Sequence, residues 1–383
     1  NVKFNGGRMD KERYIFEKFR SKLNGDDCAV IGERAYCKDL FVEGVHFRRG
    51  WLSLREIGAK AMLVNTSDMI ATNARAKYAL LGLALPREIG TREIDELCAG
   101  VSETAREWGI RIIGGDTIGS DRIALSVSLI GKCKHPVFRS GARVGDLIAH
   151  TGELGSVGRD LAVLLRDEIS PASSQMQNRN DKISSAQGPS DEVQSSGDKI
   201  SPARAEPQSL DAETSAQNSV SRSGEDHKNS TAQSLACENS TSQSSAGENP
   251  VPGSGSYRLR EDLRAKISKN SRFVRPVLRD KFFYKAAKFI SAAMDISDGL
   301  AQDLPRLLEA SGVGARWIAR PSEAALQSGE EYEILFSFAP KFLPKIYAIA
   351  AKAGVAINII AEVCPRTPQS SMEFHGSSHH FAP

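Results

Sequence analysis

Residues Thr91–Thr117 read TREIDELCAGVSETAREWGIRIIGGDT. Ile94, Leu97, Cys98 and Val101 recur at helical spacing behind Thr91, a residue suited to an N-cap, so a helix is expected over Thr91–Trp108. The apolar run Ile110–Ile113 then predicts a strand, and Gly114-Gly115-Asp116 a flexible turn that carries an acid. The same grammar extends outward. Strands are expected at Cys28–Ile31, Lys38–Val42, Tyr78–Leu85, Ile123–Ile130, Leu147–Thr151, Glu333–Phe338 and Ala356–Ala361. Helices are expected at Leu54–Val64, Ser156–Leu165, Leu300–Leu308 and Lys341–Ala353. Strands with interposed helices predict an α/β (α+β) chain of two domains.

One stretch breaks this pattern. Residues 170–256 hold no aromatic side chain, and serine fills about a quarter of the positions. Such a segment cannot bury enough apolar surface to offset its ordering entropy, so it is expected to be a long disordered insertion. The expected domains are therefore 9–140, an N-terminal α/β domain, and 141–169 with 257–383, a C-terminal α/β domain. The insertion carries 6 Lys and Arg against 11 Asp and Glu, which leaves the rest of the chain at +8 against a total of +3. That excess suits a phosphate-rich partner, while +3 overall gives no argument for nucleic acid. No apolar run is long enough to span a bilayer, so no membrane partner is expected. Six scattered cysteines without a C-x-x-C pair, and no charged-then-apolar leader, predict a reduced cytoplasmic protein. Met9 opens a better helix than Asn1 does and is the expected natural start.

Acids recur on glycine-rich islands: Gly25-Asp26-Asp27-Cys28-Ala29, Asn65-Thr66-Ser67-Asp68, Gly114-Gly115-Asp116-Thr117, Asp295-Ile296-Ser297-Asp298-Gly299 and Ser328-Gly329-Glu330-Glu331-Tyr332. Each alone reads as a solvated turn or, at Asp298, an N-cap. Together, in a chain without a Gly-x-x-x-x-Gly-Lys-Ser/Thr loop, they point to hard oxygen ligands for Mg²⁺ on polyphosphate. Asp68 is expected just past the helix Leu54–Val64, where a negative charge opposes the macrodipole.

The order of these motifs, with Asp39, Gly44-Val45-His46-Phe47 and Arg139-Ser140-Gly141-Ala142, resembles the thiamine-monophosphate kinase family of the aminoimidazole ribonucleotide synthetase-like superfamily. The resemblance implies a homodimer built through the N-terminal sheet and transfer of the ATP γ-phosphate to thiamine monophosphate, giving thiamine diphosphate. It implies several Mg²⁺ ions held by Asp26, Asp39, Asp68, Asp116, Asp295 and Asp298. It places ATP on Gly115, Asp116, Arg139 and Ser297, and thiamine monophosphate on His46 and Glu330, with Phe374 the nearest candidate for the stacking aromatic. No side chain is expected to act as general acid or base, since the attacking phosphate oxygen is already ionised at neutral pH. The chain departs from the family at Cys37-Lys38, where Ser-Thr is usual, and at Asn73 and Ser328, where glycine is usual. The alternatives are another ATP-using synthetase of the superfamily, or a non-enzymatic nucleotide-binding or interaction protein.

Overall fold

The computed structural model describes residues 11–169 and 257–367. The serine-rich segment, Met9 and Phe374 lie outside them. Ten strands form two five-stranded sheets. The first takes β1 (Ala29–Ile31), β2 (Arg34–Val42), β3 (Arg75–Pro86), β4 (Arg111–Ser120) and β5 (Ala124–Lys132) in the order β1-β2-β5-β3-β4. Only the β3–β4 pair in it is parallel, because α3 (Thr91–Glu107) carries the chain across between those two strands. The second sheet has the order β7-β9-β6-β10-β8 and is antiparallel throughout. Its strands are β6 (Leu147–Thr151), β7 (Ala292–Asp295), β8 (Gly314–Trp317), β9 (Ile334–Phe338) and β10 (Ile357–Cys364).

The other helices are α1 (Lys11–Lys18), α2 (Leu54–Ala71), α4 (Ser156–Ile169), α5 (Glu261–Arg264), α6 (Asp280–Ala286), α7 (Leu300–Ser311), α8 (Glu323–Gln327) and α9 (Leu343–Ala353). Among them α2 is central. Ser53 caps it, with its hydroxyl accepting from the Glu56 N–H while the Glu56 carboxylate accepts from the Ser53 N–H. Fourteen of its 18 residues are buried, and only Arg55 is exposed, so beyond its first turn it has no solvent face. Its N-terminal half packs on the first sheet through Leu54, Ile57, Ala61 and Met62. Its C-terminal Ile70 and Ala71 join Phe282, Phe283, Phe336 and Phe338 in the second core. Backbone approach to α3 is close: a Cβ on Gly100 would meet the Arg55 carbonyl oxygen at 1.9 Å, which only glycine avoids.

Two expectations are corrected. α2 runs on through Asn65-Thr66-Ser67-Asp68 to Ala71, so Asp68 sits inside the helix rather than past it. The polar run survives burial because Thr66 Oγ1 donates to the Met62 carbonyl (2.7 Å) and Ser67 Oγ finds a carboxylate. Likewise, Gly114-Gly115-Asp116 is no turn. β4 continues through it to Ser120, with Leu81 opposite Gly115 and Gly82 opposite Asp116. A Cβ on Gly115 would fall 1.8 Å from the Leu81 carbonyl oxygen, so this glycine serves strand contact.

The helix-free face of the first sheet and its β4 edge are open. Leu40, Leu80, Ile112, Ile113 and Ile118 are all exposed there.

Candidate active site

Three carboxylates meet where the two sheets share α2. Asp27 precedes β1, Asp68 comes from the last turns of α2, and Asp295 ends β7; one oxygen from each lies within 4.8 Å of the others. Ser67 Oγ donates to Asp295 Oδ2 (2.6 Å) and ties the helix to β7. Asp39 on β2 faces the same cluster, and its charge acts on both Asp68 and Asp295. Burial pushes the carboxyls of Asp68 and Asp295 well above the usual range, and the neighbouring acids push them further. Asp27 is raised by burial too, while Arg139 pulls it back down. Arg139 sets its guanidinium against the trio, with Nε (2.9 Å) and Nη2 (2.6 Å) donating to Asp27 Oδ1. The acids outnumber it. Hard carboxylate oxygens with no thiolate or imidazole among them fit a hard divalent cation such as Mg²⁺.

The expected residues distribute unevenly. Asp26 stands beside the trio with its Oδ1 accepting from the Arg139 backbone N–H (2.7 Å), and the oxygen that lies with those of Asp68 and Asp295 is from Asp27. Arg139 is engaged with Asp27. Asp298 pairs with Arg306, which also donates to Asp303 Oδ1 (3.0 Å). Burial raises the Asp303 carboxyl to about 7 against the pull of Arg306. Ser297 offers its carbonyl to the Glu330 N–H (2.7 Å). Gly115 and Asp116 lie apart. The register runs Asp39, Val127, Leu81, Gly115 across the sheet, three strand spacings or roughly 14 Å. Asp116 is exposed, with its Oδ1 accepting from the Thr117 N–H (2.9 Å). His46 is half-buried against the Phe41 ring (5.2 Å), and its Nδ1 accepts from the Val42 N–H (3.0 Å). That bond fixes the proton on Nε2 in the neutral ring and makes Nε2 a donor.

Residues 25–133 match the family model for AIR synthase related protein, N-terminal domain, and residues 261–370 match the one for its C-terminal domain. The chain belongs to the AIR synthase-related family. Both acidic halves of the cluster fall within the family matches, Asp27 and Asp68 in the first and Asp295 in the second. Among curated relatives, thiamine-monophosphate kinase of Aquifex aeolicus (strain VF5) is 33% identical over 166 residues, 41% of this chain and 53% of the relative. Thiamine-monophosphate kinase of Bacillus subtilis (strain 168) is 34% identical over 161 residues, 40% of this chain and 49% of the relative. The chain thus spans about half the length of the curated relatives it matches. A solved structure described as AaThiL complexed with AMPPCP and TMP shares the fold, with a TM-score of 0.60 and 22% identity, covering 93% of this chain and 90% of that one.

Several residues of this AIR synthase-related site have roles that the sequence does not show. Glu331 is fully buried and caps α4: its Oε1 accepts from the N–H groups of Gly155 (2.7 Å) and Val157 (3.2 Å) and from Ser328 Oγ (2.6 Å). Glu333, also fully buried, takes Arg279 Nε (2.6 Å), Arg272 (2.9 Å) and Thr151 Oγ1 (2.5 Å). Glu330 and Tyr332, which flank Glu331, have left-handed backbones, φ 54° and 50°. Lys60 of α2 is wholly buried, yet a single lysine in a helix reads as a solvated one. The two departures from glycine have physical answers. Asn73 keeps a left-handed φ of 61°, which asparagine tolerates, and Ser328 supplies a hydroxyl to Glu331.

Proposed function

We propose that this protein transfers the γ-phosphoryl group of ATP to thiamine monophosphate and releases ADP and thiamine diphosphate. The carboxylate trio of Asp27, Asp68 and Asp295 carries the reading. It is supported by curated relatives named thiamine-monophosphate kinase and by fold likeness to a structure holding AMPPCP and TMP. Asp27, Asp68 and Asp295, with Asp39 beside them, would hold Mg²⁺; Asp26 supports them by holding the Arg139 backbone, while Asp298 is paired with Arg306. When bound, Mg²⁺ neutralises phosphate charge and orients the reacting oxygens.

The chain's own part is positioning. An oxygen of the acceptor phosphate forms the new P–O bond as the β–γ bridging bond breaks and its electron pair leaves with ADP. That oxygen is already anionic, so no side chain need remove a proton. Arg139 anchors Asp27, Ser67 anchors Asp295, and the Nε2–H of His46 is a donor for an anionic acceptor. ATP is assigned to Gly115, Asp116, Arg139 and Ser297, and the acceptor to His46 and Glu330. The proposed domains are residues 9–140 and residues 141–169 with 257–383. Two copies pair through the open face of the first sheet, whose exposed Leu40, Leu80 and Ile118 are the motive. A cytoplasmic setting fits the five described cysteines, all free thiols.

The test is one assay of purified protein with ATP, Mg²⁺ and thiamine monophosphate. Equimolar ADP and thiamine diphosphate are expected. No turnover of thiamine monophosphate, with turnover of another phosphate acceptor, would move the chain to a different reaction of the superfamily.

A further inference from the structure

Lys60 has a fully buried side chain, and Nζ lies 2.6 Å from Glu330 Oε2. Two ring faces lie under the same ammonium, Phe273 at 4.1 Å and Phe41 at 5.7 Å from the centroids. An ammonium so placed is expensive to desolvate, and an apolar residue of like volume would often serve stability as well or better. Its retention therefore asks for something beyond packing.

Lys60 and Ser67 are seven residues apart on α2, so they share a face about 10 Å apart along the axis. Each reaches one acidic segment of the second half, Ser67 to Asp295 and Lys60 to Glu330. Glu330 is unusually fixed. Its left-handed backbone is held by its own N–H on the Ser297 carbonyl (2.7 Å) and by the Tyr332 N–H on the Ile296 carbonyl (2.8 Å). Glu331 and Glu333 are locked on the opposite side by Arg272 and Arg279. The Glu330 side chain remains 21% exposed, and Lys60 engages one of its two oxygens. The Phe41 ring adjoins both Lys60 and His46, its centroid 5.7 Å from Lys60 Nζ and 5.2 Å from the His46 ring.

We infer that Lys60 is a positioning residue for acceptor recognition: it pins Oε2 of Glu330 and thereby leaves the partly exposed carboxylate's Oε1 for the acceptor. A carboxylate oxygen held there accepts from N–H donors on the acceptor molecule or pairs with a cationic ring in it. This rests on the proposed kinase reading, since thiamine monophosphate carries both groups.

The experiment uses the full chain with Lys60→Met, Glu330→Gln and the double variant. In Lys60→Met the KM for thiamine monophosphate should rise at least tenfold, while kcat and the KM for ATP stay within about threefold. Glu330→Gln should match it, and the double variant should be no worse than either single one, because both break the same unit. A crystal structure of Lys60→Met should find the Glu330 carboxylate displaced. An unchanged KM for thiamine monophosphate, additive losses, or Glu330 still in place would each overturn the inference. Wild-type protein that does not turn over thiamine monophosphate would instead sink the kinase reading. The Lys60→Met crystal structure then still decides the pinning of Glu330.

Discussion

Replacing Asp295 by Asn should make the metal-stripped protein more stable while destroying its activity. Asp295 is 2% exposed, and its oxygen lies within 4.8 Å of those of Asp27 and Asp68. Two unit charges at that separation repel by roughly 3–4 kcal/mol at an effective dielectric of about 20. The carboxyls escape part of this by holding protons, since their pKa values are raised. A relief of about 1–3 kcal/mol at pH 8 is the reasonable yield, or a melting temperature higher by about 2–4 °C per kcal/mol. The new amide keeps an oxygen for Ser67, so little else is lost. The pH dependence has a definite sign. A carboxyl raised in the folded state stabilises it below the unfolded pKa, and that contribution is lost as pH rises through the folded value. Chelated wild-type protein should therefore weaken from pH 5 towards pH 8, and the advantage of Asp295→Asn should grow over the same range. Added Mg²⁺ should raise the wild-type melting temperature and leave that of the variant nearly unmoved. Calorimetry in EDTA and in Mg²⁺, beside a turnover assay, reads all of this. A variant less stable than wild type in EDTA at pH 8, or one retaining a tenth of wild-type turnover, would refute the reasoning.

Three further outcomes are expected. Glu333→Gln leaves Arg272 and Arg279 without their shared buried carboxylate and should cost about 3–5 kcal/mol, read as a fall in the denaturant midpoint with turnover per folded molecule largely kept. Ile118→Lys places a charge on the open sheet face, and light scattering should find a monomer where wild type is a dimer; a wild-type monomer would end the pairing proposal. Replacing residues 170–256 by a short Gly-Ser linker should leave kcat/KM within about threefold, and a larger loss would give that segment a part in catalysis.

Much of the architecture was legible because apolar period and turn residues agree. β6 falls on Leu147–Thr151 as read, and α3 differs from its expected span by one residue. The failures have physical causes. Asn65-Thr66-Ser67-Asp68 looks like a helix end because polar residues usually face water, whereas here Asn65 and Thr66 bond back to their own helix and Asp295 of the second sheet takes Ser67. Gly114-Gly115 looks like a turn because glycine's use in close strand contact depends on the neighbour, Leu81, which the sequence does not identify. β7 and β8, at four residues each, are too short to display a period. Within Asp26-Asp27 no pattern tells which carboxylate turns inward, since consecutive side chains diverge; Arg139 decides it by taking Asp26 on its backbone and Asp27 on its guanidinium. The burial of Glu331, Glu333 and Lys60 was illegible because the charged partners that offset its cost lie far away in the chain.

The burial of α2 on every side constrains how the protein can move. A helix that belongs to two cores at once is a poor hinge, because parting the sheets would strip Ile70 and Ala71 from one core or Leu54 and Ile57 from the other. Ligands must then come and go by loop and side-chain displacement around a rigid spine, with no clamshell opening. The same splice makes the two sheets interdependent during synthesis. The chain up to Lys132 contains every strand of the first sheet, whereas the acidic cluster also needs Asp295 and cannot be complete until β7 has been made.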